Sequence, residues 1–293
     1  MARLDILKTY KIYIGGQFPR TESGRYYTPL NAQGEVLANV CLSSRKDLRN
    51  AVVAARKAFG GWAQRPAFNR GQILYRIAEL LEGRRSQFTE ELVKQGIAEK
   101  DASQEVDLSI DRLVYYSGWC DKYQAVFSSV NPVASSHFNF SALEPMGVVG
   151  VICPPDSALL GLITALIPVI TGGNTAVVLA SEKLPLCAVT FAEVLHASDV
   201  PAGVVNILTG SETELLAQLG SHEDINAVGY AGSTPEHGTQ LRELAAGNMK
   251  RLKMIDPKIL DERAESPYRI TDFQEVKTTW HPIEAIGGSA AGY

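Results

Sequence analysis

The apolar positions change period several times along the 293 residues. From Tyr10 to Phe18 they alternate with polar ones and break at Gly15-Gly16, which predicts a hairpin. The stretch from Thr28 to Ser44 predicts a second one, turning at Gly34. From Ser44 the period lengthens. Leu48, Val52, Ala55 and Phe59 share one helical face, Ser44 and Asp47 supply a capping-box-like start, and Gly60-Gly61 predict the stop. Residues Phe68 to Gln95 predict two further amphipathic helices, with Ile73, Ile77, Leu80 and Leu81 as one stripe. Val106, Ile110, Leu113 and Val114 mark another. Tyr123 to Leu143 returns to a weak alternation and predicts a hairpin.

After Glu144 the pattern becomes strand, helix, strand. Val148 to Cys153 is an apolar, β-branched run stopped by Pro154-Pro155, as a buried parallel strand should be. Leu159 to Ile170 is apolar on nearly every side and predicts a buried helix, ended by Gly172-Gly173. Thr175 to Leu179 is the next strand. Helices at Leu186 to His196, Glu212 to Leu219 and Pro235 to Ala246 then alternate with strands at Val204 to Leu208, Asn226 to Ala231 and Arg251 to Ile255. Thr234, Pro235 and Glu236 read as cap, first-turn proline and acidic first turn. This order predicts an α/β fold: a Rossmann-like, right-handed parallel sheet with helices on both faces, taking ligands at the carboxyl ends of its strands. Asp256 to Ser266 carries no pattern.

A net charge of −4 gives no electrostatic case for nucleic acid or an anionic membrane. The first residues lack the apolar core of a signal peptide, and the most apolar run, Ala158 to Ile170, is too short to span a bilayer. The four cysteines, Cys41, Cys120, Cys153 and Cys187, form no CxxC pair, which predicts reduced thiols in a cytoplasmic protein.

Four segments in order, "EPMGVVGVI" from Glu144, "GGNTAVVL" from Gly172, "DVPAGVVNILTG" from Asp199 and "YAGST" from Tyr230, resemble the NAD-binding domain of the aldehyde dehydrogenase superfamily. The helical phrases "RIAELLE" and "YYSGWCDKY" extend the resemblance, and Ile270 to Trp280, carrying "EVKT", resembles the family's last strand. It implies residues 1–122 and 144–256 as an NAD-binding-like domain, and 123–143 with 268–293 as an oligomerisation element. The chain passes from the end of the cofactor domain almost directly to the family's last strand, so the catalytic domain between them is expected to be missing. The nearest likeness is to the degenerate second module of the sixteenth aldehyde dehydrogenase class.

Aldehyde oxidation needs a thiolate nucleophile, an oxyanion donor, a base and a hydride acceptor. The family's nucleophile phrase, like "GQxCxA", is absent here. Its "ELGG" base is replaced by "KMIDP" at Lys253 to Pro257, and its oxyanion asparagine by Asp156. The ribose-binding lysine of "VLKPSE" is lost, because this chain reads "VLASE" at Val178 to Glu182. The resemblance leaves a vestigial cofactor site of Glu182, Gly210, Gly232 and Ser233, expected to hold NAD weakly or not at all. Ser233 and Thr234 also read as a plain helix cap, and Cys153 as a strand-end core thiol. The expected function is a catalytically inactive companion forming a homo-oligomer, or a hetero-oligomer with a full-length aldehyde dehydrogenase. The alternatives are a dehydrogenase with a displaced nucleophile such as Cys153, and a stand-alone dinucleotide-binding module. In the family the hairpin and last strand reach a neighbouring subunit. Left unpaired, the strand would expose Val276, Thr278 and Trp280.

Overall fold

A computed structural model describes residues 6–31, 33–256 and 264–283. Strands β1 (Thr9–Tyr10), β2 (Tyr26–Tyr27) and β3 (Asn39–Cys41) form a small sheet in the order β1-β3-β2. Gly15 and Gly16 do turn the chain, both with positive φ, but the turn pairs only Ile14 with Gln17. The expected first hairpin is therefore corrected. Tyr10 pairs in parallel with Val40, and Tyr13 exchanges two 2.8 Å backbone bonds with Ile207. Burial of Ile12 and Tyr13 against the body decides this, since buried amides must find partners where the side chains take them.

Helix α1 (Arg45–Ala63) starts as read, with a complete capping box between Ser44 and Asp47. Its stop does not hold: the helix continues through Gly60-Gly61. Trp62 is fully buried, and its Nε1 donates to Ile170 O at 3.0 Å. Burying an indole outweighs the ~1 kcal/mol that each glycine costs in a helix. Asp47 does more than cap, since Oδ1 also accepts from Glu22 N at 2.9 Å and so ties the N-terminal arm to α1. Asp47→Ala is expected to lower stability by about 1–2 kcal/mol, more than Ser44→Ala does, in urea unfolding.

Helices α2 (Ala67–Glu82), α3 (Arg85–Lys94) and α4 (Glu99–Ser117) layer one face of the body, and α5 (Tyr123–Phe127) follows. Ile73, Ile77, Leu81, Val106 and Leu113 are buried as expected, whereas Val114 faces outward. Strands β4 (Ser129–Asn131) and β5 (His137–Pro145) make the expected hairpin, but not from Tyr123 as read, since Tyr123–Phe127 is helical.

The central alternation runs β6 (Val148–Ile152), α6 (Leu160–Thr171), β7 (Thr175–Leu179), α7 (Leu186–Ala197), β8 (Val205–Leu208), α8 (Glu212–Ser221), β9 (Ala227–Tyr230), α9 (Pro235–Ala246) and β10 (Arg251–Met254). These five strands are parallel, in the order β10-β9-β6-β7-β8. The order reverses between β6 and β9, and a crevice opens at that switch point. Every residue of α6 is buried, as its continuous apolarity requires.

Helix α10 (Tyr268–Thr271) leads into β11 (Gln274–Pro282). β11 lies antiparallel on β5 across nine pairs, so the sheet order is β11-β5-β4. The last strand is not left unpaired, because the chain's own hairpin takes one edge. The other edge has no strand against it among the described residues, and Val276 and Trp280 are more than half exposed there. Of the patternless run, 257–263 lies outside the described residues. Among the described residues no helix is long and apolar enough to cross a membrane.

Candidate functional site

The carboxyl ends of β6, β7 and β9 and the first turns of α8 and α9 enclose a cleft of about 400 Å³. Its wall includes Cys153, Glu182, Lys183, Glu212, Ser233, Thr234 and His237.

Cys153 directly follows β6, with its amide bonded to Leu179 O at 3.0 Å. It is only 4% exposed, and desolvation pushes its thiol up to about 12. Asp156, which the resemblance sets at the place of the family's oxyanion donor, is exposed and sits 3.4 Å from Lys183 Nζ. The amides that open α6 are already engaged. Leu159 N and Leu160 N donate to Glu105 Oε1 at 2.9 and 3.0 Å, as does Ser157 Oγ at 3.2 Å.

After β7 the chain turns through Ser181, whose Oγ donates to Pro155 O and accepts from Leu184 N. This turn places Glu182 so that Oε2 accepts from Glu212 N, at the start of α8, at 3.2 Å. The Tyr27 hydroxyl from the N-terminal arm donates to Glu182 O.

At the end of β9, Tyr230 is buried and folds back over Gly232. A Cβ at Gly232 would lie 2.5 Å from the ring carbons and the hydroxyl of Tyr230. That hydroxyl lies 3.0 Å from Glu212 Oε1 and 3.1 Å from Thr234 O, two acceptors for its one proton. Burial and the neighbouring Glu212 raise the phenol above its ordinary range. Glu212 Oε1 is also 2.6 Å from His237 Nδ1, on the first turn of α9. Thr234 occupies the cap position of α9 with extended backbone, but its side chain makes no capping bond, which corrects that part of the cap reading.

The structure thus brings Glu182 and Ser233 to one cleft. Gly232 adjoins it but is covered by the Tyr230 ring. Gly210 lies off the cleft wall: with φ +139° it lets β8 approach the N-terminal arm, and a Cβ there would be 3.0 Å from Ser43 N. Sequence reasoning missed Glu212, Tyr230, His237 and Lys183. The available signal was position alone, since all four follow or end strands of the sheet on its ligand side. Among the described residues no three His, Cys, Asp or Glu side chains group as a metal site would require.

The family whose model matches this chain, over residues 19–255, is described as the aldehyde dehydrogenase family. Cytosolic 10-formyltetrahydrofolate dehydrogenase of Xenopus laevis is 32% identical over 251 residues, which are 84% of this chain and 28% of that protein. DhaS of Bacillus subtilis is 33% identical over 251 residues, 84% of this chain and 50% of that protein. The NAD+ complex of an aldehyde dehydrogenase from Bacillus cereus superposes with a TM-score of 0.80 at 28% identity, covering 84% of this chain and 50% of that one. The chain spans half or less of the length of these relatives. With the switch-point sheet, the order of its segments and this span of similarity in agreement, the chain belongs to the aldehyde dehydrogenase family.

Proposed function

We propose that the chain is a catalytically inactive aldehyde dehydrogenase relative, a structural or regulatory companion that oligomerises with itself or with an active homologue in the cytoplasm. One observation carries this: the cleft offers no usable nucleophile. Cys153 is the sole cysteine of its wall among the described residues, and it is only 4% exposed, with burial pushing its thiol up to about 12, so the nucleophilic thiolate is disfavoured at neutral pH. The other three cysteines are buried too. Asp156 supports the same reading, because an ionised carboxylate accepts but does not donate, and so opposes an oxyanion. The connection supports it as well: β10 ends at Met254, and α10, starting at Tyr268, leads straight into β11.

The residues present do not fit NAD well. The Tyr230 ring fills the space over Gly232, and the lysine of the family's ribose phrase is lost. Weak or absent NAD binding follows. The alternative of a displaced nucleophile requires Cys153 to react, which its burial opposes. The test is NADH formation from a panel of aldehydes, together with alkylation of the native protein by iodoacetamide at neutral pH. The expected result is no turnover, and a Cys153 that is modified only after unfolding. Turnover that Cys153→Ala abolishes would overturn the reading.

A further inference from the structure

Helix N-termini at the carboxyl end of a parallel sheet attract phosphate, because their free amides and dipoles point into the crevice. Here two of them are served by carboxylates of the chain itself, and a third carboxylate lies beside the next. Glu105 takes the first amides of α6, and Glu182 takes Glu212 N at the start of α8. Glu212 lies against the first turn of α9 through His237, and the Tyr230 hydroxyl fixes it at 3.0 Å. The side chains of Glu212 and His237 are each about one-fifth exposed, so the pair forms part of the cleft wall without being solvated away from it. Lys183, the cation at the mouth, has Asp156 within 3.4 Å. The Tyr230 ring closes the side of Gly232 on which backbone would otherwise be open to a ligand.

The geometry points to Glu212, held by Tyr230 and His237, as a barrier that excludes phosphate-bearing ligands, NAD among them, from the cleft. It rests on the reading of a weak or absent cofactor, and it names the residue responsible. The mechanism is like-charge repulsion from a carboxylate in the cleft wall beside the first turn of α9, whose dipole a ligand phosphate would otherwise gain. Glu182 adds a second negative charge across the same cleft.

The test is a calorimetric titration of the full chain with NAD, and separately with adenosine, which has no phosphate. Glu212→Gln keeps the size and an acceptor for Tyr230 but removes the charge. It should tighten NAD binding by about tenfold and leave adenosine unchanged, and the gain should shrink at high salt. Glu214→Gln is the control for net charge, because Glu214 sits on the same helix with Arg25 2.7 Å away, outside the cleft wall. It should behave as the unaltered protein. Micromolar NAD binding by the unaltered protein would sink the weak-cofactor reading itself. Weak binding that Glu212→Gln does not improve, or improves no more than Glu214→Gln does, would sink the barrier alone. An equal gain for adenosine would also overturn it, since the effect would then be one of space and not of charge.

Discussion

Ending the chain before Thr271 is expected to unfold or aggregate the protein, whereas ending it before Glu275 is expected to leave the body folded and change only its assembly. The difference lies in four residues. Phe273 is 3% exposed and packs on the bare backbone of Gly229 in β9. Its carbonyl accepts from Asn174 Nδ2 at 2.8 Å, and the Asn174 Oδ1 in turn accepts from Gly147 N at 3.0 Å, just ahead of β6. Gln274, also buried, donates to Gly172 O at 3.1 Å. Cutting before Thr271 removes a phenyl ring whose burial is worth about 1.5–3 kcal/mol and orphans a buried amide at about 1–3 kcal/mol. Against a total stability of about 5–15 kcal/mol, that loss is large. Cutting before Glu275 keeps these contacts and removes only strand residues that are mostly exposed. If β11 and the hairpin form the assembly surface, light scattering should show the shorter chain as a monomer, with a urea midpoint close to that of the intact chain. An intact protein that is already monomeric at micromolar concentration, and is unchanged by the shorter cut, would remove the oligomer reading. Equal unfolding by both cuts would show that β11 is part of the fold and not an addition to it.

The sequence made the sheet legible because each strand and helix there is defined by its own neighbours. Thr175–Leu179 and Pro235–Ala246 come out with the bounds that periodicity and punctuation predict, and the other strands of that sheet differ by one residue at one or both ends, whereas β11 begins four residues after Ile270, which lies in α10. What local pattern could not show was decided at long range. Gly60-Gly61 reads as a stop until Trp62 finds Ile170, 108 residues away. Tyr13 reads as part of a hairpin until it meets Ile207. The site follows the same division. Comparison with family phrases reveals losses, such as the missing lysine and asparagine, because an expected residue has a known place. It does not reveal gains. Glu212, Tyr230 and His237 lie on α8, β9 and α9, and only the parallel crossover brings them within hydrogen-bonding distance. Read singly, Glu212 is an acidic residue in a helix's first turn, which is the most ordinary place for one.

Gly147→Ala is expected to be among the most damaging single-methyl changes in the chain, and for a reason that a double-mutant cycle can separate into parts. Gly147 has φ +137°, where an L side chain is strained by about 1–3 kcal/mol whatever space surrounds it. The added Cβ would also lie 2.1 Å from Asn226 Oδ1 and 3.0 Å from Arg56 Nη1. Asn226 cannot simply move away. Its Oδ1 accepts from Val148 N at 3.0 Å and from Arg56 Nη2 at 2.6 Å, joining the start of β6 to the strand beside it and to α1. Displacing it leaves a part-buried strand amide unpaired, at about 1–3 kcal/mol. Together these give about 2–6 kcal/mol, with a fall in melting temperature of roughly 2–4 °C per kcal/mol for a chain of this size. Asn226→Ala alone should cost the lost hydrogen bonds. In that background, Gly147→Ala meets no side-chain oxygen, and the backbone strain should remain with only the flexible end of Arg56 to move aside. The two substitutions should therefore sum to less than their separate costs, with a coupling of at least about 1 kcal/mol. A strictly additive cycle would show that the backbone, and not Asn226, sets the requirement for glycine. Gly147 lies at the amino end of β6, opposite the cleft at its carboxyl end. NAD titrations at temperatures where the variant stays folded should accordingly match those of the unaltered protein.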